Sequence, residues 1–277
     1  MVTSLLAAFA AAFVVDRTIV PGFMGGAQRV AVFGMYAVLF AVLMTAIGMV
    51  VQYHKSSIEV ARREKELELA RRIQHSFLPE TFPTRPHFEV HAINVPSRGV
   101  SGDFYDVVPA GNGLLLAVAD VEGKSIPAAL LTAMLQASLR TQTAWVTRPT
   151  GIVSNINGLC CRREGVQQFA TFFLMRIDED GQLVYSNAGH NPPILMRAGG
   201  GHTLLHKGGI MFGVMEQAPF DEDTLALAGG DRVIVYTDGT TERANPAGEE
   251  FGPERLASLV APLPADLSAR QVTERIL

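Results

Sequence analysis

Apolar and polar positions follow three different rhythms along the chain. From Val30 to Val51 no charged side chain interrupts twenty-two residues. At 1.5 Å per residue such a run reaches ~33 Å, enough for a hydrocarbon core of about 30 Å, so residues 30–52 are predicted to span a membrane. Residues 2–15 are also apolar but shorter, a candidate short first span or the tail of a longer helix. Asp16 to Arg29, with Pro21, Gly22, Gly25 and Gly26, reads as the loop between them. Ser56 to Phe77 changes to Glu, Arg, Ala and Leu without Gly or Pro, which predicts a helix. Arg62–Glu66 and Glu68–Arg72 place opposite charges one turn apart. Ile58, Ala61, Leu69, Ile73 and Phe77 form an imperfect apolar stripe, and Pro79 and Pro83 end the segment. That stripe suits a solvated linker or a helix that pairs with its copy in a homodimer.

From Phe88 onward the pattern is that of strands. Phe88 to Val95 alternates crudely. Leu114 to Val118 and Arg232 to Thr237 are apolar runs of buried-strand length. Phe172 to Ile177 and Leu183 to Asn187 are separated by DEDG, a hairpin signal. Ile126 to Trp145 reads as a helix, with Ser125 as its N-cap and Pro127 in the first turn; residues 150–162 and 253–260 read as two more. Strands in hairpin-like groups with helices set apart predict an α+β fold with antiparallel sheets. The domains are then a membrane segment (1–53), a connecting helix (54–80) and a domain from 81 to 277.

Composition sharpens this division. The 277 residues are 48% hydrophobic and 18% charged, and residues 1–52 hold only three charges, Asp16, Arg17 and Arg29. His54, Lys55, Arg62, Arg63 and Lys65 follow the apolar run, and this basic flank places the C-terminal side in the cytoplasm. A net charge of −4 without a dense basic run gives no nucleic-acid surface. The adjacent Cys160 and Cys161 suit a reducing compartment rather than a disulfide framework. His75, between a charged helix and a proline, has the setting of a sensor kinase's phosphoacceptor, but neither a Gly-rich ATP lid nor an Asn-bearing helix follows, and a surface or packing role fits it better.

The candidate chemistry is acidic. Two apolar strands end alike: LLLAVAD at Asp120, then Val121, Glu122 and Gly123; RVIVYTD at Asp238, then Gly239. Asp103 stands in SGDFYD ahead of the first of these strands. Carboxylates gathered at strand ends repel unless a cation joins them. Oxygen donors of this kind suit hard octahedral ions such as Mg²⁺ or Mn²⁺, and no His or Cys spacing fits zinc.

SGDFYDVV, ADVEGKSIPAALL, YSNAGHNPPIL and VIVYTDGTTERAN, in this order after ARRIQHSFLPETFP, resemble the SpoIIE-like branch of the PPM (type 2C, metal-dependent) serine/threonine protein phosphatases. The resemblance covers about residues 66–277. It implies an αββα sandwich of two antiparallel sheets flanked by helices, preceded here by one or two transmembrane helices. It implies two Mg²⁺ or Mn²⁺ ions between the sheets. It matches Asp103 to the first metal acid, Asp120 to the acid bridging both ions, the carbonyl of Val121 to a backbone ligand and Asp238 to a further ligand, with Asp120 and Asp238 the residues on which catalysis depends most. Asp106, Asn187 and His190 are accessory candidates; the NAGHNP segment is expected to shape a turn.

The implied activity is hydrolysis of phosphoserine or phosphothreonine on a regulatory protein of the anti-sigma-factor-antagonist type, at the cytoplasmic membrane of a bacterium. The chain departs from the pattern at Ser101, where glycine is usual, and at Glu122-Gly123-Lys124-Ser125. The family's closing Asp-Asp pair and last strand have no match before Leu277, and Asp266 reads only as a helix cap. The expectation is therefore a fragment or a weakened enzyme, with an impaired scaffold of the same fold as the alternative.

Overall fold

The computed structural model describes residues 26–83, 85–95, 100–123, 126–146, 148–162 and 168–277. The candidate span at 2–15 and the proposed cap Ser125 lie outside them. Helix α1, Gly26–His75, is continuous over 50 residues and joins the predicted span to the predicted linker. No proline falls within it, so nothing interrupts the ladder between the apolar run and the charged segment. It begins inside the expected loop, at Gly26, and ends at His75; Ser76, Phe77 and Leu78 close it with turn hydrogen bonds. Its apolar part is long enough to cross a membrane and is not buried within the chain. Glu68 and Arg72 stand 3.5 Å apart as expected, and Arg63 takes Glu59 at 2.7 Å; both pairs are exposed and contribute little.

The chain divides within α1, between Glu64 and Lys65. The described residues of the unit from Lys65 to Leu277 form two sheets. The larger has the order β1 (Asp103–Ala110), β2 (Gly113–Val121), β3 (Ala170–Ile177), β4 (Gln182–Ala188), β7 (Gly208–Gly209), with β8 (Asp223–Ala226) also on β4. The smaller is β6 (His202–Leu204), β5 (Ile194–Met196), β9 (Arg232–Ile234). Every ladder is antiparallel except the two-residue β4–β7 pair. The helices are α2 (Ile126–Gln142), α3 (Pro149–Cys161), α4 (Asp238–Thr241), α5 (Gly252–Val260) and α6 (Ala269–Ile276).

Side-chain alternation sorts these elements into layers. Leu115, Ala117, Ala119 and Val121 of β2 join Phe172 and Leu174 of β3 against Leu131, Leu135 and Leu139 of α2 and Ile152 and Ile156 of α3. Leu114 and Leu116 face the other way, with Phe173, Met175 and Leu183, toward Leu195 of β5 and Val233 of β9. Ile194 and Met196 then meet Leu256 and Val260 of α5 and Val272 of α6. The result is helix, sheet, sheet, helix. Strand β2 reads as a continuous apolar run because both of its faces are covered.

Three sequence expectations shift. Residues 88–95 form no strand, although Phe88 and Val90 still pack on the inter-sheet core. The run at 232–237 pairs only over Arg232–Ile234, because its partner β5 is three residues long. Helix α6 is capped by Ser268, which accepts from the Gln271 amide while Gln271 returns the bond, and not by Asp266.

Candidate metal centre

The register of β1 and β2 sets the site. Asp103 lies directly opposite Asp120, and Asp120 directly opposite Thr171 of β3. Residues directly opposite share a face. By alternation this row points to the inter-sheet side, with Leu114, Leu116 and Phe173. Asp103, Asp120, Val121, Thr171 and Asp238 all line one cleft of about 760 Å³, together with Gly102, Glu122, Glu242 and Arg243. Asp238 arrives from the other sheet: the chain leaves β9, stays extended through Thr237, and turns into the short helix α4. The Thr237 hydroxyl donates to Asp103 Oδ2 at 2.8 Å, tying the two sheets together at the cleft.

Gly102 permits the close approach on which this end of β2 depends. The Val121 amide donates to the Gly102 carbonyl at 3.2 Å. A Cβ at position 102 would stand 2.4 Å from the Val121 carbonyl oxygen and 3.4 Å from Asp120 Oδ1. The obstacle is backbone, so it cannot swing aside. Gly102→Ala is therefore expected to cost about 1–3 kcal/mol of stability and to weaken divalent-cation binding, read by thermal unfolding and by manganese titration. Unchanged melting and unchanged affinity would contradict this reading of the turn. Ser101, where glycine is usual, needs no left-handed backbone, since no described non-glycine residue has a positive φ; its Oγ accepts from the Asp103 amide at 3.0 Å.

The accessory candidates do not line the cleft. Asp106 sits three positions from Asp103 and so on the opposite face of β1. It is fully buried under α2, where Arg140 Nε and Nη2 donate to it at 2.7 and 2.9 Å. That bond holds the Arg140 guanidinium more firmly protonated. Asn187 organises the NAGH turn: its Oδ1 accepts from the His190 amide at 2.7 Å, and its Nδ2 donates to the carbonyls of His190 and Leu205. His190 is buried behind the cleft wall, with Nδ1 2.8 Å from the Thr171 hydroxyl. Burial pushes its pKa down to about 4, so the ring is neutral at physiological pH. Sequence reasoning passed over Thr171, Thr237 and Glu242. Only Thr237 and Glu242 carried a signal, as neighbours of Asp238 in YTDGTTE.

Among the described residues that line the cleft, oxygen donors dominate: three aspartates, two glutamates, the Val121 carbonyl, Ser101 and Thr171, with no His or Cys. This chemistry fits a hard divalent cation. Among the described residues no three acidic, His or Cys side chains are gathered tightly enough to chelate an ion unaided.

Residues 110–277 match the model of the family described as Stage II sporulation protein E (SpoIIE). The chain belongs to the SpoIIE family. Among its relatives, Protein IcfG of Synechocystis is 30% identical over 234 residues, covering 74% of this chain and 36% of IcfG. Phosphoserine phosphatase RsbU of Bacillus subtilis is 28% identical over 203 residues, covering 72% of this chain and 61% of RsbU. The chain thus spans between about a third and three-fifths of the length of these relatives. The SiaA-PP2C domain of Pseudomonas aeruginosa superposes with a TM-score of 0.62 at 20% identity, over 79% of this chain and 87% of that domain. The SpoIIE-family fold is accordingly the PP2C-type α+β sandwich, with both sheets and both helical layers in place.

Proposed function

We propose that this chain is a metal-dependent protein phosphatase that hydrolyses phosphoserine or phosphothreonine on a regulatory phosphoprotein. The observation that carries the reading is the opposed pair Asp103 and Asp120 on one face of β1 and β2, with Asp238 in the same cleft. Asp103, Asp120, the Val121 carbonyl and Asp238 would hold two Mg²⁺ or Mn²⁺ ions. Bound there, such ions supply a water of lowered pKa and neutralise charge on the phosphoryl oxygens. The Thr237 hydroxyl holds the Asp103 carboxylate in one rotamer. Arg243, the one cationic side chain among the described residues lining the cleft, offers a fixed positive charge to an incoming phosphate. Neither cysteine lines the cleft, and the nucleophile in this reading is water.

The likeness to a phosphoserine phosphatase, RsbU, supports a phosphoserine substrate, and the resemblance of the sequence motifs to the SpoIIE-like branch points to one of the anti-sigma-factor-antagonist type. The test is phosphate release from a panel of such phosphoproteins with Mn²⁺ and with chelator. Release that requires Mn²⁺ supports the reading. Binding of the phosphoprotein without release would make the chain a scaffold of the same fold.

Helix α1 supports anchoring in the cytoplasmic membrane, with the domain on the cytoplasmic side. Deleting residues 1–54 is expected to move the protein from the detergent-extracted pellet to the soluble fraction, read by ultracentrifugation. A full-length chain that is soluble without detergent would refute the anchor. Ile58, Leu69, Ile73 and Phe77 are exposed in the single chain, which supports pairing of α1 with its copy.

A further inference from the structure

One buried polar side chain in the last turn of α1 reaches the cleft without lining it. Gln74 is only 8% exposed, on a helix whose other side chains mostly face outward. Its Nε2 donates to the Ser101 carbonyl at 2.6 Å, and its Oε1 accepts from the Ser101 amide at 2.9 Å. Both functions of one side-chain amide are thus matched to both backbone groups of one residue. Ser101 in turn receives the Asp103 amide on its Oγ. The next carbonyl, that of Gly102, accepts from Thr132 Oγ1 of α2 and from the Val121 amide. The Ser101–Asp103 segment is therefore held by α1, α2 and β2 together, and α1 contributes only through Gln74 among the hydrogen bonds described.

We propose that Gln74 is a positioning residue for Asp103, fastening the end of α1 to the backbone that presents the cleft's first carboxylate. Hydrogen bonds fix direction where packing alone leaves play. Without the amide, the Ser101 N–H and C=O lose their partners, and the backbone leading into Asp103 is left to the bonds from Asn94, Thr132 and Thr237, which allow it more play. A displacement of the helix end would act on the site by the same two bonds. The inference rests on the reading of Asp103 as a cation ligand, and its test separates the two.

The experiment uses the full chain in detergent. Gln74→Leu keeps the bulk and removes both bonds. Gln74→Asn keeps the amide but shortens its reach, and serves where leucine prevents folding. Gln136→Leu is the control, because Gln136 holds the Phe77 carbonyl at 2.7 Å and so tethers the same segment without touching Ser101. In the metal-free protein, hydrogen exchange at the Ser101 and Asp103 amides is expected to rise about tenfold in the Gln74 variants and not in the control. Manganese affinity, by titration calorimetry, is expected to fall about tenfold or more, the range for residues that orient a ligand from behind. Exchange in β2 and β3 should stay as in the wild type. Exchange at Ser101 and Asp103 that is unchanged in both Gln74 variants, or equally raised by Gln136→Leu, overturns the proposal. A wild-type chain that binds no manganese sinks the metal reading alone, and the exchange data still decide the role of Gln74.

Discussion

Asp120→Asn is expected to lower Mn²⁺-dependent phosphate release by at least about 100-fold, or about 2.7 kcal/mol of transition-state stabilisation, while leaving the metal-free fold no less stable. The two effects share one cause. Asp120 and Asp103 are register partners on adjacent strands, and like charges directly opposite are unfavourable. A pair held in that position works against the apo fold, and a bound cation relieves it. Asparagine keeps the shape, removes one negative charge and removes an anionic donor. Activity should therefore fall while the metal-free melting temperature holds or rises. Thermal scans with and without Mn²⁺, beside single-turnover phosphate release, read both halves. A variant with full turnover would show that another group fills this role. A variant that fails to fold would show Asp120 to be structural.

Arg140→Ala is expected to have the opposite signature. Asp106 is fully buried, and Arg140 supplies it with two charge-assisted hydrogen bonds. Removing one member of such a pair leaves a buried charge without its partner, at about 3 kcal/mol. For a unit of this size that lowers the melting temperature by roughly 10 °C. Manganese affinity should stay close to wild type, since Asp106 faces the helices and not the cleft. Adding Asp106→Asn to Arg140→Ala should recover part of the lost stability. A loss of manganese binding with intact stability would place Asp106 in the metal site after all. The two aspartates of SGDFYD, three positions apart, are thus expected to separate cleanly into a functional and a structural acid.

That separation marks the limit of what was legible. The acids ending LLLAVAD and RVIVYTD stood out because an Asp after a buried run has few structural uses. The helix-and-sheet order followed from the lengths and periods of the apolar runs. The face of β1 was hidden, because DFYDVVPA carries an acid on each side. The buried one is explained only by Arg140, 34 residues away. The pairing extent of RVIVYT depended on β5, which is too short to hold six residues. Residues 88–95 had the alternation of a strand but found no ladder. Thr237, Gly102 and Gln74 act through contacts across 134, 19 and 27 residues of sequence, and no local pattern marks such pairings.

The most direct test of the central claim is a crystal of the chain grown with Mn²⁺ and measured at the manganese absorption edge. The account predicts anomalous density in the cleft between Asp103, Asp120, the Val121 carbonyl and Asp238, absent from the same map of Asp120→Asn. Manganese bound elsewhere, or none in that cleft at saturating concentration, would contradict it.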